Sequence, residues 1–293
     1  MTTRRTPTET PTETPTETPT GTPTAAAVLP EPAAKAVEQA GQIAGQAGQK
    51  VEQAKQQAGQ KVERAQRVAR AETHPPHVAL ARGRAGMVVA ILGVVGFVGI
   101  FATVKAKQSQ AFDLALTMKF QAGRYPLLAS VMRLVSWPGF PPQSRVIPPT
   151  VMAGLWLLRF RLEAVFQLLA WGTGGLSTVV KALMKRPRPV AGTDLRVVTA
   201  PLGGTSFPSG HVLTYVGTYG WMAYMAHTLI RPRHLRRSLV MFFAGLVALV
   251  GPSRIYQGHH WPTDVIASYM LGLSYFIGLS GLYRRFKRQR ALE

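Results

Sequence analysis

The sequence predicts an all-α membrane protein: a six-transmembrane-helix bundle with a disordered and partly helical N-terminal cytoplasmic tail. Three observations carry this expectation. Long apolar runs crowd into residues 87–283, whereas residues 1–86 contain none. Basic residues gather in short clusters beside those runs, and with six spans four arginine-rich clusters fall on one side of the bilayer. The tail is made of proline-rich and small-residue repeats that have little apolar surface to bury.

Within the tail, residues 6–24 repeat Thr-Glu-Thr-Pro, as in Thr6-Pro7-Thr8-Glu9-Thr10-Pro11. Proline removes backbone donors and nothing apolar offsets the loss, so disorder is expected there. Residues 33–72 differ. Ala47-Gly48-Gln49-Lys50-Val51-Glu52 returns eleven residues later as Ala58-Gly59-Gln60-Lys61-Val62-Glu63. An eleven-residue period is close to three helical turns, which puts Val51 and Val62 on nearly one face. That face is narrow, made of Ala and Val with Gly interrupting it. Such a helix can lie on the membrane, self-associate or stay solvated, and the residues leave all three open.

Met87 to Val104 is uninterrupted by charge and long enough to cross a hydrocarbon layer of roughly 30 Å. Residues 109–137 mix polar and apolar stretches and are expected to form one or two interfacial helices, ended by the turn Pro138-Gly139-Phe140-Pro141-Pro142. Ile147 to Leu158, Leu162 to Val180, His211 to Ile230, Leu235 to Val250 and Val265 to Tyr283 complete six candidate spans, the second and fifth of them short. Glu163, near the start of the third, is expected to pair with Arg159 or Arg161 at headgroup level. The domain division is therefore a tail at 1–86 and a transmembrane domain at 87–293.

The chain of 293 residues carries a formal charge of +21 and no cysteine. Disulfides, thiolate metal sites and cysteine nucleophiles are thereby excluded. A strongly basic chain invites a nucleic-acid reading, but the clusters sit at span ends. Arg82 and Arg84 precede the first span, Arg159 and Arg161 follow the second, and Arg231, Arg233, Arg236 and Arg237 follow the fourth. Arg284, Arg285, Lys287, Arg288 and Arg290 follow the sixth. Positive loops are cytoplasmic loops, so both termini are expected inside, and the connections 105–146, 181–210 and 251–264 outside. The bilayer, taken as the plasma membrane, is the expected partner and no nucleic acid is expected. Self-association would run through the tail repeat.

Three short segments cluster at the expected outer ends. Lys181-Ala-Leu-Met-Lys185-Arg186-Pro187-Arg188-Pro189 places Lys181 seven residues before Arg188. Pro208-Ser209-Gly210-His211 opens the fourth span. Ser253-Arg254 is followed at fixed spacing by His260 and Asp264. Register decides two ambiguities: Arg186 lacks a lysine seven residues before it, and of the adjacent His259 and His260 only His260 lies six after Arg254 and four before Asp264.

A phosphoryl group in transfer spreads negative charge over three oxygens, so its site needs convergent cations and donors. Lys181, Arg188 and Arg254 supply three positive groups from three segments, and Ser209 adds a hydroxyl. Gly210 lets the backbone come close at the start of a helix, where an anion is favoured. A neutral imidazole can attack phosphorus when a carboxylate orients its other N–H. Asp264 lies about one helical turn beyond His260 and can play that part. Taken singly, each residue has a plainer explanation: snorkelling cations, a helix cap at Pro208-Ser209-Gly210, or an acid at a helix start. Taken jointly and in register, these explanations fail.

The three segments together resemble the signature of the type 2 phosphatidic acid phosphatase superfamily, which also contains soluble bacterial acid phosphatases, glucose-6-phosphatase and vanadium haloperoxidases. All eleven signature positions match, and at roughly one chance in twenty each, accident is negligible. The resemblance implies a membrane hydrolase of lipid metabolism, with His260 as nucleophile forming a phosphohistidine, Asp264 as its orienting partner and His211 as the acid that protonates the leaving oxygen. It implies Lys181, Arg188, Ser209, Gly210 and Arg254 as the phosphate cradle, with no metal and no cofactor. The implied substrates are lipid phosphates: undecaprenyl diphosphate, phosphatidate, phosphatidylglycerophosphate or diacylglycerol diphosphate. Two other readings compete, a vanadate-dependent haloperoxidase and a membrane scaffold that recruits partners through its tail. Six spans oppose the first, and an intact signature opposes the second.

Overall fold

The computed structural model describes residues 31–71, 76–123, 125–190, 195–196 and 202–290, and among them every regular element is helical. The Thr-Glu-Thr-Pro repeat of residues 6–24 lies outside the described residues. The chain separates into two units, residues 1–57 and 58–293. Helix α1 (Glu31–Ala71) carries the eleven-residue repeat. Its Val51 is exposed, and Glu52 meets Lys55 one turn on at 3.8 Å. Such surface pairs stabilise a helix by only a few tenths of a kcal/mol.

Among the described residues three helices are long and apolar enough to cross a membrane. They are Gly83–Lys105 within α2 (Pro76–Lys105), α10 (Arg233–Tyr256) and α11 (Pro262–Gln289). These occupy the first, fifth and sixth expected spans. At about 1.5 Å per residue, the 23 residues from Gly83 reach about 35 Å. The other expected spans are shorter or broken. The second is α5 (Gln143–Leu157), with Pro148 and Pro149 inside it. The third divides at Gly172 into α6 (Arg161–Trp171) and α7 (Thr173–Met184). The fourth runs as α8 (Gly210–Thr214), a π turn (Tyr215–Tyr219) and α9 (Gly220–Leu229).

Between α2 and α5 lie α3 (Gln110–Gln121) and α4 (Pro126–Ser136), the expected interfacial pair. The first of these is inverted relative to a helix in water. Asp113, Thr117 and Gln121, spaced four apart on one face, are buried, while Phe112, Leu114, Met118 and Phe120 are exposed. Its polar stripe faces the protein, and its apolar side needs an apolar environment.

Close helix approach rests on small residues, as it does where lipid removes the usual hydrophobic drive. On α2, Gly93 and Gly96 admit Met270 and Ser274 of α11; a Cβ on Gly96 would stand 2.8 Å from the Met270 sulfur. Ser274 Oγ donates to the Ala90 carbonyl at 2.9 Å, joining the two helices. At the α6–α7 break, Gly217 of the π turn packs against the Ala170 carbonyl and the Thr173 side chain, where any Cβ would collide. Behind this contact Phe166, Trp221 and Tyr283 form a buried aromatic cluster with ring centroids 5.1–5.6 Å apart. Glu163, expected among the headgroups beside Arg159 and Arg161, is instead buried and accepts the Tyr283 hydroxyl at 2.7 Å. It shares the inward face of α6 with Ala164, Gln167 and Ala170, which turns it toward α11.

Candidate active site

Every residue of the sequence signature falls at one end of the helices described above. Lys181 stands in the last turn of α7, which Lys185 ends in the left-handed region (φ 50°). The non-helical segment beyond it is stapled from two sides. Ser206 donates its N–H to the Arg186 carbonyl at 2.8 Å and its hydroxyl to that of Pro187 at 3.0 Å. The Trp261 indole also donates to Pro187, at 3.0 Å. Arg188 is thereby aimed at the turn between α10 and α11: its Nη1 donates to the His259 carbonyl at 2.7 Å and faces His260 Nε2 at 3.3 Å.

Ser209 precedes α8 and gives its backbone N–H to Ser268 of α11 at 2.7 Å. Gly210 packs so closely that a Cβ there would lie 3.3 Å from Ser177 Oγ and 3.9 Å from the Lys181 ammonium. His211 follows, its ring against Phe140 at a centroid distance of 4.6 Å. Gly139, in the 3₁₀ turn Trp137–Gly139, leaves room for that ring, which a Cβ at this position would strike.

Arg254 is fully buried near the end of α10. The helix continues past the expected end at Val250 to Tyr256, so Ser253 and Arg254 are held on helical backbone. Its Nη1 donates to Ser136 Oγ at 2.8 Å and Gln257 Oε1 at 3.2 Å, and its Nη2 meets His259 Nδ1 at 2.5 Å. The Phe140 ring lies 4.9 Å away. None of these partners is a carboxylate, so they orient the guanidinium without cancelling its charge. Lys181, Arg188 and Arg254 sit within electrostatic reach of one another, an arrangement that repels itself until an anion arrives.

His260 is buried in the turn before α11, with Nδ1 3.6 Å from Asp264 Oδ2. That separation exceeds a hydrogen bond. The carboxylate is beside the ring as the spacing predicts, but Oδ2 accepts the Trp261 N–H at 2.9 Å, and Oδ1 meets Arg186 at 2.5 Å. Burial, and then the charges of Arg254, Arg188 and Lys181, hold the His260 imidazole well below its ordinary pKa, so it is neutral near pH 7. Burial also lowers the Arg188 guanidinium, a shift opposed by Asp264.

All eight signature residues thus converge, and several others join them that register alone does not select. His259 and Ser136 hold Arg254, and Gln257 links it to the Met132 carbonyl at 2.8 Å. Arg186, set aside for lacking a partner lysine, bridges Asp264 and Asp113. A cavity of about 660 Å³ flanks this bridge, lined in part by Lys105, Lys107, Asp113 and Trp261. The signal for Asp113 was present in the sequence as an acid, a threonine and a glutamine spaced four apart on a helix whose other residues, apart from Gln110 and Lys119, are apolar.

A sequence model of the PAP2 (type 2 phosphatidic acid phosphatase) superfamily matches residues 163–288. Phosphatidylglycerophosphatase B of Bacillus subtilis is 32% identical over 203 residues, covering 66% of this chain and 94% of that protein. The chain belongs to the PAP2 superfamily. It is a PAP2-type phosphatase and a membrane protein. Undecaprenyl-diphosphatase BcrC of Bacillus subtilis is 31% identical over 143 residues, 46% of this chain and 69% of that one. In three dimensions this PAP2 chain resembles the crystal structure of a transmembrane PAP2-type phosphatidylglycerolphosphate phosphatase from Bacillus subtilis. The TM-score is 0.60 at 25% identity, covering 68% of this chain and 98% of the other. The PAP2 sequence match begins at Glu163, so it includes all eight signature residues and omits α3 with Asp113.

Proposed function

We propose that this PAP2 phosphatase hydrolyses a lipid phosphate or diphosphate through a phosphohistidine at His260. The active site would lie at the outer face of the plasma membrane, on a domain of six spans, with both termini cytoplasmic. One observation carries the reading. Among the described residues, Ser209 Oγ, His211 Nε2, Arg254 Nε and His260 Nδ1 are all buried without a hydrogen-bond partner. Buried polar atoms rarely go unpaired. Three of them, Ser209 Oγ, His211 Nε2 and Arg254 Nε, beside Lys181 and Arg188, match a site whose partners arrive with an anionic substrate, and the fourth, His260 Nδ1, faces Asp264.

The chemistry follows from the geometry. The phosphoryl oxygens would take the charges of Lys181, Arg188 and Arg254, the Ser209 hydroxyl and the backbone approach that Gly210 permits. Arg188 faces His260 Nε2, which marks that nitrogen as an acceptor and leaves the proton on Nδ1, toward Asp264. Nε2 then attacks phosphorus as the bond from phosphorus to the lipid-side oxygen breaks, and that oxygen leaves with the electron pair. His211, entering the step as the imidazolium, gives it a proton and is left neutral. Water attacks next, the phosphorus–nitrogen bond breaks with its electrons returning to Nε2, and His211 accepts the water proton. Inorganic phosphate departs and both histidines are restored.

A site at the membrane surface suits a substrate whose phosphate sits among headgroups while its chain stays in lipid. The relatives' names favour phosphatidylglycerophosphate or undecaprenyl diphosphate as the substrate. The tail at 1–86 supplies none of the signature, and self-association through its repeat would be a separate role. The test is phosphate release by purified protein from a panel of lipid monophosphates and diphosphates in excess EDTA, with and without vanadate. Release without added metal, blocked by vanadate, is expected. Among the described residues, the carboxylates of Asp113 and Asp264 at this site are both engaged by Arg186. A strict Mg²⁺ requirement, or no release from any lipid, would sink the reading.

A further inference from the structure

We propose that Arg186 and Asp113 are positioning residues of this phosphatase, together setting the Asp264 carboxylate that faces His260. The inference rests on the phosphohistidine reading and deepens it. Arg186 uses both prongs of its guanidinium. Nη1 donates to Asp264 Oδ1 at 2.5 Å and Thr263 Oγ1 at 2.8 Å. Nη2 donates to Asp113 Oδ2 at 2.5 Å and Ser109 Oγ at 3.2 Å. The remaining oxygen of Asp113 accepts both the N–H and the hydroxyl of Thr263, each at 2.9 Å, which secures the first turn of α11. Asp264 is thus held at Oδ1 by Arg186 and at Oδ2 by the Trp261 N–H, with Oδ2 also facing the imidazole.

The charge count explains why two acids are present. The side chains of Asp113 and Asp264 are 1% and 0% exposed, and that of Arg186 is 10% exposed. One guanidinium against one carboxylate would nearly neutralise it. Shared between two, it fixes Asp264 and leaves net negative charge beside His260. That ring becomes cationic when Nε2 is phosphorylated, and the residual charge favours the change. Arg186 cannot be replaced in this by lysine, whose ammonium does not fork between two planar acceptors.

Asp113 is delivered by the inverted helix α3, whose polar stripe is anchored again at its far end. Gln121 donates to the Tyr256 carbonyl at 3.0 Å and the Arg196 carbonyl at 2.8 Å, and accepts the Arg196 N–H at 2.8 Å. Arg196 also donates to the Gln121 carbonyl. This helix therefore braces the end of α10, the start of α11 and the loop that precedes α8, all three of which carry signature residues.

The experiment compares full-length wild type with Asp113→Asn, Asp113→Glu and Arg186→Lys in detergent. It reads thermal melting, kcat, KM and the rate at which an acid-labile phosphoenzyme forms on a lipid phosphate that the wild type cleaves. Asp113→Asn keeps the shape and an acceptor for Thr263. A fall in kcat of about tenfold is expected, with KM within about twofold and phosphoenzyme formation slowed in parallel, the pattern of an interaction felt in the transition state. Asp113→Glu should recover part of the loss, and Arg186→Lys should resemble Asp113→Asn. A folded Asp113→Asn protein with wild-type kcat overturns the proposal, as does a KM increase that accounts for the whole loss. If Arg186→Lys does not fold, Asp113→Asn decides; unfolding of both assigns the pair to structure and refutes positioning. A wild type that forms no phosphoenzyme refutes the nucleophile itself, a result distinct from normal phosphoenzyme formation in unaffected variants.

Discussion

Gly139→Ala is the substitution whose effect the structure specifies most sharply. A Cβ at Gly139 would lie 2.7 Å from His211 Nε2 and nearer still to Cδ2. Ordinary carbon–nitrogen contact needs roughly 3.4 Å or more, so the ring must retreat by about 0.7 Å or turn. Retreat is obstructed, because Phe140 packs edge-on against the ring at 4.6 Å and Tyr215 lies nearly parallel to it at 6.5 Å. Misplacement of a reacting group by about 1 Å costs on the order of 10²-fold in rate, equal to about 2.7 kcal/mol of barrier. Because His211 is proposed to protonate the leaving oxygen, the loss should depend on what leaves. The assay measures kcat of Gly139→Ala against wild type, at matched folded concentration, on a lipid phosphate and on p-nitrophenyl phosphate, whose phenolate needs little protonation. A fall on the order of 10²-fold for the lipid and a clearly smaller one for the aryl ester are expected. Wild-type turnover, or equal losses on both substrates, would refute the reasoning.

Four further outcomes follow from the same geometry. His260→Ala should abolish phosphoenzyme and turnover, whereas His259→Gln, which can still offer Arg254 an acceptor, should keep more activity than His259→Ala; equal loss in the three folded variants contradicts the assignment. The His260 pKa is lowered from 6.5 in the fold, so its neutral form is the folded one. The associated stability is full above about pH 6.5 and is lost as pH falls toward the lowered value. Melting temperature should therefore decline on acidification less steeply for folded His260→Ala than for wild type, and an identical decline would remove this imidazole as a cause. Gly192→Cys, in a protein otherwise free of thiols, should react with a membrane-impermeant reagent in intact cells; labelling only after lysis would reverse the orientation. Deleting residues 1–72 while keeping Arg82 and Arg84 should preserve turnover in detergent, and near-complete loss in a folded truncation would show that the tail acts on catalysis.

Much of the candidate site was legible because its residues stand at fixed spacing within short segments. Lys181 and Arg188, or Arg254, His260 and Asp264, lie close in the chain, and each set needs only a helix end or a turn to assemble. The apolar runs were legible for a similar reason, since a lipid environment demands about 20 apolar residues for each spanning helix. Helix interruptions were harder to see. The Gly172 break and the π turn at 215–219 depend on Gly217 meeting Ala170, a contact across 47 positions of sequence.

What the sequence determined by itself is therefore the class of chemistry and which candidate residues should meet at one end of the helices. Hydropathy, charge placement and spacing are local properties, and they survive without knowledge of who neighbours whom. The tertiary structure decided the support. It placed Asp113 against Arg186 across 73 positions and Ser136 against Arg254 across 118, turned Glu163 inward to Tyr283, and seated Gly139 against the His211 ring. A buried charge must find its partners wherever packing leaves them, and no local pattern names a partner held on another helix.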